Sequence, residues 1–250
     1  MPLYLMTEQQ IEPVIQTTFS SAGIRERSDL QRLLRQHIDV ISPETLVIAE
    51  EFGDWDRSQR RIDLLAVDKE ANLVVIELKR DEEGAHMELQ AIRYAAMVAR
   101  MTFDEAVSTY ARFLASSSTT VDARSALLEF LGWEEPSDGE FAPEVRIVLA
   151  SADFSPEITS TVLWLNEHDL DIRCIRVRPY KFSDRLLLNV EQIIPLPEAT
   201  DYQIQIKNKA REERSTGARA ADWTQYEVSL DGRKVGPLRK RYMVYEVVLT

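Results

Sequence analysis

The chain has 250 residues, 44% of them hydrophobic, and a net charge of −12 from 30 Lys+Arg and 42 Asp+Glu. That supports one large domain, or one domain with a small companion, while the acidic balance argues against a generic nucleic-acid coat. The single cysteine, Cys174, excludes an internal disulfide, and no run of about 18 apolar residues offers a membrane span.

The start, Met1-Pro2-Leu3-Tyr4-Leu5, lacks the basic region of a signal peptide, so the expected location is the cytoplasm. Thr7-Glu8-Gln9-Gln10 reads as a capping box, with Ile11, Val14, Ile15 and Phe19 following at helical spacing and Gly23 as the stop. A second helix is expected from Ser28, with Gln31 completing its capping box and Leu30, Leu33, Leu34 and Ile38 on one face. After the Ser42-Pro43 turn, Thr45 to Phe52 reads as a strand, and Gly53 to Gln59 as a polar loop.

Two short apolar runs come next, Arg60 to Asp68 and Asn72 to Arg80, around the polar turn Lys69-Glu70-Ala71. They read as a β-hairpin. Centring the turn on Glu70 sets Ala66 opposite Val74 and Asp63 opposite Glu77, and alternation puts Arg61 and Lys79 on the same face as these two acids. The hairpin is apolar on both faces, as a buried strand pair is. Adjacent buried carboxylates repel unless something positive lies between them. A divalent cation is one answer, because carboxylate oxygens suit Mg²⁺. The other is a salt-bridged hairpin in which Arg61 and Lys79 neutralise Asp63 and Glu77.

Asp81 to Gly84 breaks the pattern, and a helix is expected from about Ala85 to Met101. His86, Gln90 and Tyr94 share one of its faces, while Ile92, Ala95, Ala96 and Ala99 point elsewhere, toward the sheet. Asp63, then Glu77-Leu78-Lys79, then Gln90-Ala91-Ile92-Arg93-Tyr94 resembles the D…E-x-K and Q-x-x-x-Y motifs of the PD-(D/E)XK nuclease superfamily, nearest its NucS-like and RecB-like branches. The resemblance covers roughly residues 24–100 well and 143–200 loosely.

Further along, helices are expected from Thr102 to about Leu114 and from Ala123 to Leu131, taken together as a helical insertion over about 102–142. Val145 to Ala150, a helix starting at Ser155-Pro156-Glu157, and Leu170 to Arg178 read as a βαβ unit with parallel strands. Arg176 and Arg178 share a strand face and read either as a phosphate rim or as a solvated charged edge. Leu186 to Ile194 is a further strand, and Asp201 to Arg214 a polar helix. Ser215 to Ala221 suits a linker. Tyr226 to Leu230, Asp231-Gly232 and Arg241 to Leu249 read as strand, turn, strand. Residues 201–250 hold 10 Lys+Arg against 7 Asp+Glu, a net of +3 against −15 for residues 1–200. Arg233, Lys234, Arg239, Lys240 and Arg241 cluster in this basic part.

The expected fold is α/β, a mixed central sheet flanked by helices in the αβββαβ order that the resemblance implies. Residues 1–214 would form the nuclease-like domain, and residues 222–250 a small hairpin module that this chain leaves incomplete. The resemblance implies a Mg²⁺-dependent (or Mn²⁺-dependent) endonuclease acting on DNA. Asp63 and Glu77 would bind the metal, Lys79 would serve the attacking water, and Gln90, Tyr94 and Arg61 would hold the substrate. A third carboxylate would come from Glu26, Asp29, Glu50 or Glu51. RNA stays open as a substrate, as do a homodimer or an accessory protein as partner. The rival reading is a non-cleaving nucleic-acid-binding or assembly module that keeps the fold.

Overall fold

The computed structural model describes residues 2–53, 61–80, 86–117, 120–136, 139–196, 225–230 and 233–239. At the N-terminus it shows strands where the sequence suggested a helix. Leu3–Met6 (β1) and Ile11–Gln16 (β2) pair antiparallel, Leu3 opposite Val14 and Met6 opposite Ile11. The Thr7 hydroxyl accepts the N–H groups of Gln9 and Gln10 and donates to the Gln10 carbonyl, closing a turn instead of capping a helix. Short hydroxyl side chains serve both purposes, and Pro13 would have removed a donor inside the expected helix.

The next helix also starts earlier than expected. Glu26–Gln31 forms a π-helical turn that runs into Arg32–Gln36 (α1), followed by a 3-10 turn at Ile38–Val40. Ser28 does not cap it. Instead the Asp29 carboxylate reaches back to the N–H and guanidinium of Arg25, which fixes the start two residues upstream of Ser28.

Thr45–Phe52 (β3), Ile62–Asp68 (β4) and Leu73–Lys79 (β5) follow. β4 and β5 pair antiparallel in the expected register, Ala66 opposite Val74 and Leu64 opposite Ile76. The three-residue turn between them needs a left-handed residue in its last position, and Ala71 adopts it with φ 62°. Asp68 holds that turn by accepting the N–H groups of Glu70 and Asn72. Arg146 clamps Asp68 at 2.7 Å and Asp171 at 2.7 Å, so the charges at this end of the hairpin are matched.

Four helices follow where the sequence placed them: Met87–Val98 (α2), Phe103–Ser116 (α3), Ala123–Leu131 (α4) and, after strand Val145–Ser151 (β6), Pro156–Glu167 (α5). Three of their N-termini are capped by side chains, at Thr102 and Ser155 as expected and also at Asp122. Thr102 and Glu105 form a reciprocal capping box, Asp122 accepts the Ser125 N–H, and Ser155 accepts the Ile158 N–H ahead of Pro156 in the first turn. Gly132 ends α4 with φ 71°, the left-handed cap that suits glycine. Asp171–Phe182 (β7) and Arg185–Ile194 (β8) complete the first unit.

The sheet runs β1-β2-β7-β6-β5-β4-β3, with β8 on the outer side of β7. β5, β6 and β7 are parallel to one another, and the other pairings are antiparallel. The order α1-β3-β4-β5-α2-β6 is the expected αβββαβ core. One face buries Leu64, Ala66, Val74, Ile76 and Leu78 with Leu30 and Leu34 from the α1 side. The other buries Leu65, Val67, Leu73 and Val75 with Met87, Ala91 and Tyr94 of α2 and residues of α3, α4 and α5. Ile62, which alternation from Leu64 would put on the first face, packs instead in the second cluster. Each fully buried Leu, Ile or Val of the hairpin contributes about 1.5–3 kcal/mol, and β4 and β5 are buried along almost their whole length.

The chain divides into two compact units, residues 1–200 and 201–250. In the second, Gln225–Leu230 (β9) and Arg233–Arg239 (β10) pair antiparallel, Arg233 opposite Leu230. β10 thus pairs with β9 from Arg233 onward, ahead of the strand expected from Arg241 to Leu249, which lies outside the described residues. The irregular register between Val235 and Leu238 accommodates Gly236-Pro237, since proline cannot donate to the ladder. The expected helix at 201–214, the linker at 215–221 and the apolar end at 240–250 lie outside the described residues.

Candidate metal and catalytic centre

The hairpin register carries the site. Leu64 opposes Ile76, so the next step along both strands sets Asp63 opposite Glu77. On the other flank Glu50 opposes Leu64 and Phe52 opposes Ile62, which sets Glu51 opposite Asp63. Three carboxylates therefore occupy one row across β3, β4 and β5. Like charges directly opposed in a sheet destabilise it.

Glu77 is fully buried, and neither carboxylate oxygen has a hydrogen-bond partner. Burial, then the charge of Asp63, push its pKa up to about 9, while Lys79 pulls the other way. The nearby Asp63 N–H gives slight relief without reaching hydrogen-bond geometry. Asp63 is buried too, but one oxygen accepts the Leu78 N–H at 2.8 Å. Its pKa rises less, to about 6, mainly through burial and also through Glu51 and Glu26. Two buried carboxylates whose proton affinities are both raised form a site that lacks positive charge.

The π-helical turn delivers Glu26 to the same place. Its carboxylate lies 3.8 Å from the Lys79 ammonium and accepts the Arg80 N–H at 3.0 Å. Its charge acts on both Asp63 and Glu77, and that of Glu51 acts on Asp63. The other carboxylates considered from sequence are engaged elsewhere. Asp29 pairs with Arg25, Glu50 with Arg35, and Glu51 with Arg27 at 3.2 Å. Gln31, fully buried and missed in the sequence, donates from its amide to Glu50, Glu51 and the Asp63 carbonyl at 3.2–3.3 Å. Its polar character beside Leu30 was the only available signal.

Lys79 is half-buried beside Glu26 at the end of β5. Arg61 is exposed just ahead of β4. Tyr94 departs from the expectation that it shares a polar helix face with Gln90. Met87, Ala91, Tyr94 and Val98 form the buried stripe of α2, while Ala96 and Ala99 are exposed. Tyr94 is 1% exposed, and its hydroxyl accepts the Gln90 amide at 3.1 Å. An aromatic ring four residues from Gln90 buries more apolar surface than alanine can, which overrides the face drawn from polarity.

Arg176 and Arg178 are neither a phosphate rim nor a solvated edge. Both bind Asp153, Arg176 at 3.0 Å, in a half-buried ion network that also reaches Glu191. Cys174 is fully buried and its thiol is pushed up to about 12 by burial, as a structural cysteine would be. Beside the carboxylate row, between β3 and α3, a cavity of about 450 Å³ opens, lined by Glu51, Phe52, Arg112 and Phe113 among others.

The donor set fits a hard divalent cation: oxygen ligands only, carboxylates in excess, and a buried carboxylate with both oxygens unpartnered. Among the described residues, no group of three or more His, Cys, Asp or Glu side chains is already arranged to hold a metal ion. No described helix is long and apolar enough to cross a membrane.

No protein-family model matches the chain, and no curated protein matches it. Among solved structures it is similar to EndoMS in a complex with double-stranded DNA, at 18% identity and a TM-score of 0.33, over 69% of this chain and 49% of that one. It is likewise similar to a repair endonuclease from Pyrococcus abyssi, at 18% identity and a TM-score of 0.33, over 61% of this chain and 47% of that one. The chain thus spans about half the length of the solved structures it matches.

Proposed function

We propose that this chain is a Mg²⁺-dependent endonuclease hydrolysing DNA phosphodiester bonds, with DNA as the choice that the motif resemblance implies. One observation carries the reading: Glu77, wholly buried with both oxygens unpartnered, stands opposite the buried Asp63 beside Lys79. A structural ion pair would give Glu77 a partner on at least one oxygen, because an unpaired buried polar group costs about 1–3 kcal/mol and a charge more.

Asp63 and Glu77 would hold the cation, and Glu26 would be the third carboxylate. Bound there, Mg²⁺ would polarise a phosphoryl oxygen and acidify water. Lys79 orients the attacking water and offsets charge gathering on the phosphate, with Glu26 holding its ammonium in place. The Asp63 carboxylate is aimed by the Leu78 N–H. Gln90 contacts the substrate strand, and Tyr94 acts through it as a positioning residue. Arg61 contributes a phosphate contact from the rim. An acidic chain gains little from diffuse attraction to DNA, so binding is expected to be weak.

The test is cleavage of plasmid, linear, single-stranded and branched DNA with Mg²⁺, Mn²⁺ or chelator. Cleavage that needs the cation and is lost in Lys79→Ala is the expected result. The absence of a preassembled three-ligand cluster among the described residues favours a second reading, nucleic-acid binding without cleavage. Retained DNA binding with no cation-dependent product on any of the four substrates would select it.

A further inference from the structure

The apolar layer under α1 does not stop where the helix stops. Ile175 and Val177 of β7 are buried in it, and Val190 of β8, opposite Val177, packs on it. Continuing by twos, Pro179 and Lys181 of β7 and Leu188 and Leu186 of β8 lie on the same face. Lys181 is also opposite Ile15 of β2, and from Ile15 the face continues through Pro13 and Ile11 to their partners Tyr4 and Met6 in β1. One side of the β1-β2-β7-β8 corner thus carries Tyr4, Met6, Ile11, Ile15, Leu186 and Leu188, with Lys181 as its one charged residue. The charged neighbour Glu12 points to the opposite side, with its partner Leu5.

These side chains are open. Tyr4, Met6, Ile11 and Ile15 are 55%, 76%, 65% and 72% exposed, and Leu186 and Leu188 are 37% and 45% exposed. At about 150–250 Å² for a fully exposed large side chain, that is roughly 600 Å² of apolar surface. The largest apolar patch on a typical monomer is about 300–600 Å² and is often functional, so this face stands at the top of that range.

We propose that this face is the interface through which two copies of the chain associate, sheet on sheet, about a two-fold axis. The area suits that occupant. Roughly 600 Å² per copy, with the rim that a docked sheet also covers, reaches the roughly 800 Å² per partner of a standard stable interface. The charge pattern suits it as well. The chain carries a net charge of −12, yet this face has no carboxylate, so two copies can meet here without opposing acidic charges, and Lys181 is the one cation each brings. A flat strand face can oppose itself across a two-fold axis, each residue meeting its symmetry partner's surroundings, with sheets about 10 Å apart as in a sandwich. The inference stands apart from the nuclease reading and does not depend on it.

The experiment is light scattering and sedimentation of the full chain across micromolar concentrations. The wild type should show twice the monomer mass of 28.7 kDa. Met6→Asp and Ile15→Asp, both at exposed positions, should keep the wild-type circular dichroism and weaken self-association at least tenfold. Glu12→Lys, on the other face of the same strand, should leave the dimer intact. A monomeric wild type at every concentration overturns the proposal and assigns the face to another occupant. Folded Asp variants that stay dimeric, or a Glu12→Lys variant that dissociates equally, overturn it as well by placing the interface elsewhere.

Discussion

Glu77→Gln keeps the shape of the side chain, removes its charge, and separates the two explanations of the buried acid by sign. Burial and Asp63 raise Glu77 from 4.5 to about 9, so between those values the folded protein holds a proton that the unfolded chain has released. Stability contributed by this group is therefore complete below about pH 4.5 and declines as pH rises toward about 9. At about 1.36 kcal/mol per tenfold change in proton affinity, the full span is on the order of 6 kcal/mol. Lys79 and a proton shared with Asp63 absorb part of it. The metal-free variant is expected to be more stable than wild type by about 3 kcal/mol at pH 9, and near equal at pH 5. For a domain of this size that is roughly 6–12 °C in melting temperature. Saturating Mg²⁺ should cancel the difference at pH 9 and make wild type the more stable at pH 5, since binding at 100 times the dissociation constant stabilises wild type by about 2.7 kcal/mol and the variant has lost a ligand. Thermal melts at pH 5, 7 and 9, with Mg²⁺ or with chelator, read all of this. A variant less stable than wild type at every pH, with Mg²⁺ acting equally on both, would refute the reasoning and make Glu77 a structural ion-pair partner.

Lys79→Ala should lower turnover at least a hundredfold while leaving Mg²⁺ affinity by calorimetry within a few fold, because its role falls in the transition state. Glu26→Gln should weaken Mg²⁺ binding about tenfold and cost little stability in a melt, since its carboxylate is only part-buried. Tyr94→Phe should cost about 0.5–1.5 kcal/mol by denaturant unfolding and raise KM more than it lowers kcat, through a loosened Gln90. Arg146→Ala should destabilise by about 3–5 kcal/mol, because it leaves the buried Asp68 unpaired, with Mg²⁺ affinity unchanged.

Much of the framework was legible because local signals and burial agreed. The hairpin was readable from a two-sided apolar pattern and a three-residue turn, and its register alone placed Asp63 against Glu77. The caps at Thr102 and Ser155 marked helices that form where expected. The N-terminal hairpin was hidden because Thr7 and the spacing of Ile11, Val14 and Ile15 suit a helix as well as a turn and strand. Pro13 was the residue that should have decided it. Glu26 remained one candidate among several because it sits on a π-helical turn whose start depends on Asp29 reaching back to Arg25. Tyr94 and the Arg176–Asp153–Arg178 network were misjudged for one reason: sequence shows which residues could face solvent, while their partners come from strands and helices far along the chain.

The central claim is that Asp63 and Glu77 share a divalent cation. Anomalous diffraction from a crystal soaked in Mn²⁺ tests it most directly. The account predicts a peak bonded to one oxygen of each carboxylate at about 2.0–2.2 Å, with Glu26 drawn toward it. Well-ordered density for both carboxylates with no peak between them at saturating Mn²⁺ would contradict it.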